Sequence, residues 1–138
     1  MRLGLALALG TVVLLAVPVW AADPVSQTLA APIDRVWSTT LAVLKQLGWN
    51  TDKVDRSIGW ITTDSRRVDG EDYGVYAKGT RHRLVIQMKA ASADRTTVSI
   101  ERTVFNRERI LWMDKDEPVK TSDVEVEKSV LAAIAKSL

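Results

Sequence analysis

Residues Ala31 to Asp64 read APIDRVWSTTLAVLKQLGWNTDKVDRSIGWITTD, and this stretch decides the fold. Its apolar positions Val36, Trp37, Leu41, Val43, Leu44 and Leu47, with Thr40 counted through its methyl, recur at helical spacing. Pro32 suits a first helical turn, where a missing N–H costs nothing, and Asp34 places negative charge at the helix start. Gly48 stops the helix, because glycine accepts the left-handed conformation that ends helices. Trp49 to Val54 then reads as extended, Asp55-Arg56-Ser57 carries turn chemistry, and Ile58 to Thr63 is a β-branched and aromatic strand. The expected unit is an amphipathic helix delivered into a β-hairpin.

On the N-terminal side, Met1-Arg2 gives a positive start, Leu3 to Val17 is apolar or small throughout, and Pro18-Val19-Trp20-Ala21 closes the run. This is the pattern of a secretory signal peptide. Val19 and Ala21 fill the small-residue positions of a cleavage site, so residues 1–21 are expected to be removed and 22–138 to form a single domain. The alternative is an uncleaved anchor in the inner membrane, since the uncharged run from Leu3 to Ala22 is about 20 residues and just long enough to span a bilayer.

The 138 residues suit one domain with a real core, and 46% apolar with 26% charged content excludes a disordered chain. Removing Arg2 with the leader leaves 18 basic against 17 acidic residues. That balance argues against nucleic acid as a partner, which calls for a clear cationic excess. The absence of cysteine excludes disulfides, thiol nucleophiles, thiolate metal sites and a lipidated N-terminal cysteine.

Beyond the hairpin, Arg66 to Gly79 spreads Gly70, Gly74 and Gly79 among acidic residues and reads as a long, partly mobile connection. Arg81 to Lys89 alternates, with His82, Leu84, Ile86 and Met88 on one face and Arg81, Arg83, Val85, Gln87 and Lys89 on the other. After a turn at Ala93-Asp94-Arg95, Thr96 to Phe105 returns as a second strand. Asn106 to Arg109 reads as a charged break, Ile110 to Met113 as a further strand or an extension of the last, and Asp114 to Pro118 as a polar loop. Ser122 and Glu125 have capping-box spacing, and Val126, Val130, Ala133, Ile134 and Leu138 make one stripe of a final helix. Gln27-Thr28-Leu29 is a brief first strand.

No motif supplies a reaction. His82 is the only histidine and lies in phase with core positions, so it lacks the partners of a triad or a zinc site. Asp64, Asp69, Glu71 and Asp72 are a minority candidate for carboxylate chemistry on cell-wall material, but their loop offers no apolar setting to split acid from base. The glycines match no phosphate loop. More telling are Arg81, Arg83 and Lys89 on one strand face with Tyr73 and Tyr76 just upstream, a surface for an anionic lipid, a glycan or an acidic partner. Trp37 reads as core. Trp49, Trp60 and Trp112 are either core or the lining of a groove.

The segments APIDRVW, LKQLGW and GWITTD, in that order and spacing, resemble the helix-grip domain of BamC-type lipoproteins of the bacterial outer-membrane β-barrel assembly machinery. The resemblance covers about Leu29 to Leu138. It implies a sheet gripping one long helix, a second helix at the end, and an accessory or scaffold role without catalysis. It transfers no functional residue, and this chain lacks the lipid-bearing cysteine and the tandem second domain of that family.

The expected fold is therefore α+β, a mainly antiparallel sheet packed against a long helix and a C-terminal helix. The expected function is a non-catalytic periplasmic module that binds another envelope protein, with no cofactor and no metal. A carrier or sensor of an apolar or anionic ligand, held between sheet and helix, is the alternative. Membrane association without a lipid anchor is compatible with both.

Overall fold

The computed structural model describes residues 23–138, and the expected leader lies outside them. In chain order the elements are β1 (Val25–Leu29), α1 (Ile33–Gln46), β2 (Thr51–Asp55), β3 (Trp60–Thr63), β4 (Arg66–Arg67), β5 (Glu71–Asp72), β6 (Tyr76–Ser92), β7 (Arg95–Ile110), β8 (Met113–Val119) and α2 (Glu125–Ser137). The class is α+β, with one open antiparallel sheet of eight strands and two helices.

The helix and hairpin of residues 31–64 form as the spacing predicts. Val36, Trp37, Thr40, Val43 and Leu44 are buried, and Gly48 takes φ +81° after the last turn, with its N–H donating to the Lys45 carbonyl and that of Trp49 to Leu44. Leu47 departs from the expected stripe and is exposed, because it caps the helix. Both helices cover one face of the sheet. Val36, Leu44, Leu84, Ile86, Ile100 and Ile134 have no exposure and belong to a single core cluster.

Everything is organised on β6 and β7, which pair in register from Tyr76↔Ile110 to Ser92↔Arg95 around the turn at Ala93-Asp94. On one side of this hairpin β3, β4 and β5 line up in turn along β6, and β2 pairs with β3. On the other side β1 pairs with Thr96 to Ile100 of β7, and β8 with Val104 to Ile110.

Five expectations are corrected. Arg66 to Gly79 is not a mobile connection: β4 and β5 bind it to β6, and Gly70 and Gly79 press together so closely that a Cβ on Gly79 would lie 2.8 Å from the Gly70 Cα. The charged break at Asn106 to Arg109 is the continuation of β7, and Asp114 to Pro118 is the body of β8. Ile110 to Met113 is not one strand: Ile110 ends β7, Met113 begins β8, and Leu111 at φ +50° and Trp112 at φ +70° form a two-residue turn between them. The Ser122–Glu125 capping box does not form, because α2 begins at Glu125, whose N–H donates to Asp123 Oδ1 at 2.9 Å.

The helices cover only the half of the hairpin nearer the Ala93-Asp94 turn. Past the row of His82, Val104 and Val119, the residues that continue the core face are Thr80, Asn106 and Glu117, then Lys78, Glu108 and Lys115, then Tyr76, Ile110 and Met113. Nearly all of these are exposed. A four-stranded arm of β5, β6, β7 and β8 thus projects about 20 Å beyond Val104, at roughly 3.3 Å per residue.

Candidate functional site

Alternation along β6 and β7 leaves the face opposite the helices with Arg81, Arg83, Val85, Gln87 and Lys89 on one strand and Thr103, Phe105, Arg107 and Arg109 on the other. Cross-strand pairing adds Arg67 beside Arg81, and Asp114 and Asp116 beside Arg109 and Arg107. Phe105 is the centre of this surface. It is only 4% exposed although no helix covers it, because the Arg83 and Arg107 guanidinium groups stand over its ring at 5.2 and 5.4 Å.

The arginines divide into two groups. Arg107 holds Asp116 through two bonds of 2.9 and 3.0 Å, and Arg109 holds Asp114 at 2.6 and 3.3 Å and reaches Asp72 at 3.4 Å. The hydrogen bond to Asp116 raises the Arg107 pKa, that to Asp114 raises the Arg109 pKa, and the Arg109 bond holds the Asp114 carboxyl below its ordinary value. Among the described residues no ion pair reaches Arg67, Arg81 or Arg83. Arg81 donates to the Ser65 hydroxyl and carbonyl, both at 2.8 Å. Partial burial and then the like charge of Arg107 push its pKa down, Asp72 opposes them, and Arg109 and Arg67 add smaller contributions to the lowering. The result is three cations without a carboxylate in ion-pair contact, with Asp69, Glu71 and Asp72 lining a recess beside Arg67 and Arg81.

The expected site residues separate into three places. Arg81, Arg83, Lys89 and Trp60 do share the outer face, with Trp60 opposite Gln87 and lining an open recess of about 400 Å³ with Lys89. Tyr73, Tyr76 and Trp112 gather at the end of the arm, 65%, 44% and 74% exposed. Trp49 is core, only 5% exposed: the Gly48 reversal turns it under the helix layer, where its ring lies 4.8 Å from His82 and beneath Arg66 at 4.5 Å. The three tryptophans therefore line no common groove. The residues that the sequence reading missed are Phe105, Arg107 and Arg109, whose alternation with Asn106 and Glu108 was the available signal, and Arg67 in a two-residue strand.

His82 accepts from Arg102 Nη1 at 3.3 Å through Nδ1. Burial, then the charges of Arg102 and Arg66, lower its pKa to about 4, so it is neutral at pH 7 and behaves as a packed side chain. Asp64, Asp69, Glu71 and Asp72 are all exposed, Glu71 and Asp72 being neighbours in β5; Asp69 accepts from the Thr80 N–H and Asp72 from the Gly74 N–H. Among the described residues no group of three histidines, cysteines or carboxylates is disposed to hold a metal ion, and no helix is long and apolar enough to cross a membrane.

Comparison with models of protein families and with curated proteins finds no match to this chain. The outer face has to be interpreted from its own chemistry.

Proposed function

We propose that this chain is a non-catalytic periplasmic module of helix-grip type, similar to the domain of BamC-type lipoproteins, which binds an acidic segment of another envelope protein on the outer face of its sheet. The observation that carries this reading is the unpaired set Arg67, Arg81 and Arg83 around the capped Phe105 ring. Guanidinium groups present several donors in a plane and match carboxylates in pairs, so a partner carboxylate replaces the water now solvating Arg83 with a charge-assisted contact. It also relieves the mutual repulsion of Arg81 and Arg107. Export is supported by the apolar leader pattern, and the absence of catalysis by the solvent-exposed setting of the carboxylates and the packed histidine.

The filled space beneath α1 favours this surface over the carrier reading. Val36 and Leu44 from the helix meet Leu84, Ile86 and Ile100 from the sheet, all without exposure.

The test is photo-crosslinking in cells, with the reactive residue placed at Arg83 on the outer face or at Ser129 on the exposed side of α2. A defined protein adduct from position 83, lost in an Arg67→Glu variant and diminished by salt, is expected. An adduct that forms from 129 and not from 83, or one indifferent to the charge reversal, overturns the reading.

A further inference from the structure

The end of the arm carries chemistry of a different kind. Ile110, Leu111, Trp112 and Met113 are 53%, 76%, 74% and 76% exposed, and Tyr73, Val75 and Tyr76 beside them are 65%, 41% and 44% exposed. Seven of the eleven large apolar side chains exposed among the described residues are thus collected at one extremity. We infer that this tip inserts into the interface of a phospholipid bilayer.

Three features favour lipid over a protein pocket or a second copy. First, the tip projects at the end of the arm and most of its backbone is satisfied: Ile110 pairs with both Tyr76 and Met113, and in the Tyr73–Val75 turn the N–H groups donate to the Tyr76 carbonyl, the Asp72 carboxylate and the Tyr73 carbonyl, leaving Leu111 and Trp112 outside the ladder. A closed hairpin end enters an apolar medium without stranding its peptide groups. Second, the rung directly behind carries Asp72, Ala77, Arg109 and Asp114 on the outer face, and the next rung on the Tyr76 face is Glu71, Lys78, Glu108 and Lys115, which alternate in sign across four strands. It lies two residues from the Tyr76 rung, or about 7 Å, close to the depth to which interfacial segments bury an apolar face. The charged rung is then at headgroup level, with Trp112 and the tyrosines in the zone that aromatic side chains favour. Third, the charges nearest the tip are already matched, Arg109 by Asp114 and Asp72 and Lys115 by Glu117. The contact is therefore apolar in origin and does not require anionic lipid.

The turn itself is costly for its residues. Leu111 and Trp112 both take positive φ, a conformation that two-residue hairpin turns ordinarily give to Asn-Gly. The sequence places large apolar side chains where the backbone disfavours them and where no protein atoms bury them.

The chain has no cysteine, so Met113→Cys puts a single environment-sensitive fluorophore on the tip. Ile58→Cys puts one on the turn between β2 and β3, about 40 Å away along β6. With phosphatidylcholine vesicles, the label at 113 is expected to shift to the blue and to be quenched by a lipid-borne nitroxide, while the label at 58 stays water-like. Introducing Leu111→Asn with Trp112→Gly, which suits the turn but removes its apolar bulk, is expected to cut the quenching at 113 at least tenfold in a protein whose circular dichroism shows it folded. A label at 113 that vesicles leave unmoved, or quenching that survives in the Asn-Gly variant, overturns the proposal. So does a shift that appears without lipid and grows with protein concentration, which assigns the tip to a second copy. A shift that requires phosphatidylglycerol and vanishes in salt overturns it too, because it moves the contact to the arginine face.

Discussion

Arg102 of β7 donates from Nε to Glu127 Oε1 of α2 at 2.9 Å, with side chains 8% and 0% exposed. Its other donors reach the Asp123 carbonyl at 3.1 Å and His82 Nδ1 at 3.3 Å. One arginine thus fixes the start of α2 to the last helix-covered part of the sheet, between Ile100 and Val104. Removing one member leaves the other as a buried, unpaired charge, so Glu127→Ala is expected to cost about 3–5 kcal/mol. Replacing both, Arg102→Met with Glu127→Leu, is expected to cost less than about 1 kcal/mol or to stabilise, since Glu127 Oε2 has no partner among the described residues. Urea unfolding of the three proteins decides it, and equal losses in single and double variants would refute the coupling.

The same network makes His82 a source of acid sensitivity. Its pKa falls from 6.5 to about 4 in the folded chain. Between those values the unfolded chain binds a proton that the folded one refuses, so stability declines as pH drops from about 6.5 to about 4, then levels off. Because the ring is half-exposed, the loss is discounted to about 1 kcal/mol. Thermal unfolding of His82→Gln across this range is expected to show a flatter profile than the parent. Parallel profiles would remove His82 as the cause.

Glycines in the segment after β3 are expected to differ sharply in tolerance. A Cβ on Gly74 meets nothing within 4 Å, so Gly74→Ala is charged only for its positive φ, about 1 kcal/mol. A Cβ on Gly70 would sit 2.1 Å from the Lys78 carbonyl oxygen, and one on Gly79 2.2 Å from that of Asp69. Either alanine forces β6 and the Asp69-Gly70 backbone apart, at about 2–3 kcal/mol. Melting temperatures in which Gly74→Ala is as harmful as Gly79→Ala would contradict this contact.

At the arm's turn the expected sign is opposite. Leu111→Asn with Trp112→Gly relieves two left-handed residues and is expected to stabilise by about 1–2 kcal/mol. Scanning calorimetry should show the midpoint rise by several degrees. A fall would mean that the two apolar side chains hold the tip together.

The helix α1 and the covered half of the sheet were legible because burial imposes a period: Val36 to Leu44 repeat as a helix, and Leu84, Ile86 and Met88 alternate as a strand. The arm escaped because both its faces meet water. From Asn106 to Glu117 the residues are mostly charged, and apart from Lys115 with Glu117 opposite signs match across strands rather than along them, which no window on one strand can detect. β4 and β5 are two residues each, shorter than any period. The Ser122–Glu125 spacing was a true capping pattern overruled by a helix that starts two residues later. Of the candidate site, the cationic side of β6 was readable by alternation, whereas Phe105 beneath its arginines required knowledge of which strand lay beside it.

The register of β1 carries a consequence for the order in which the molecule assembles. Val25 to Leu29 bond only to Thr96 to Ile100, so the first strand to leave a ribosome is among the last to find its partner. The hairpin of β6 and β7 closes locally around two residues, while β1 waits for a chain closure of roughly 70 residues, slow on entropic grounds. Until β6 has emerged α1 lacks Leu84, Ile86 and Met88 to cover, and until residue 100 it lacks Val98 and Ile100 as well. A nascent chain halted before β6 carries an amphipathic helix with its buried face open to whatever holds it.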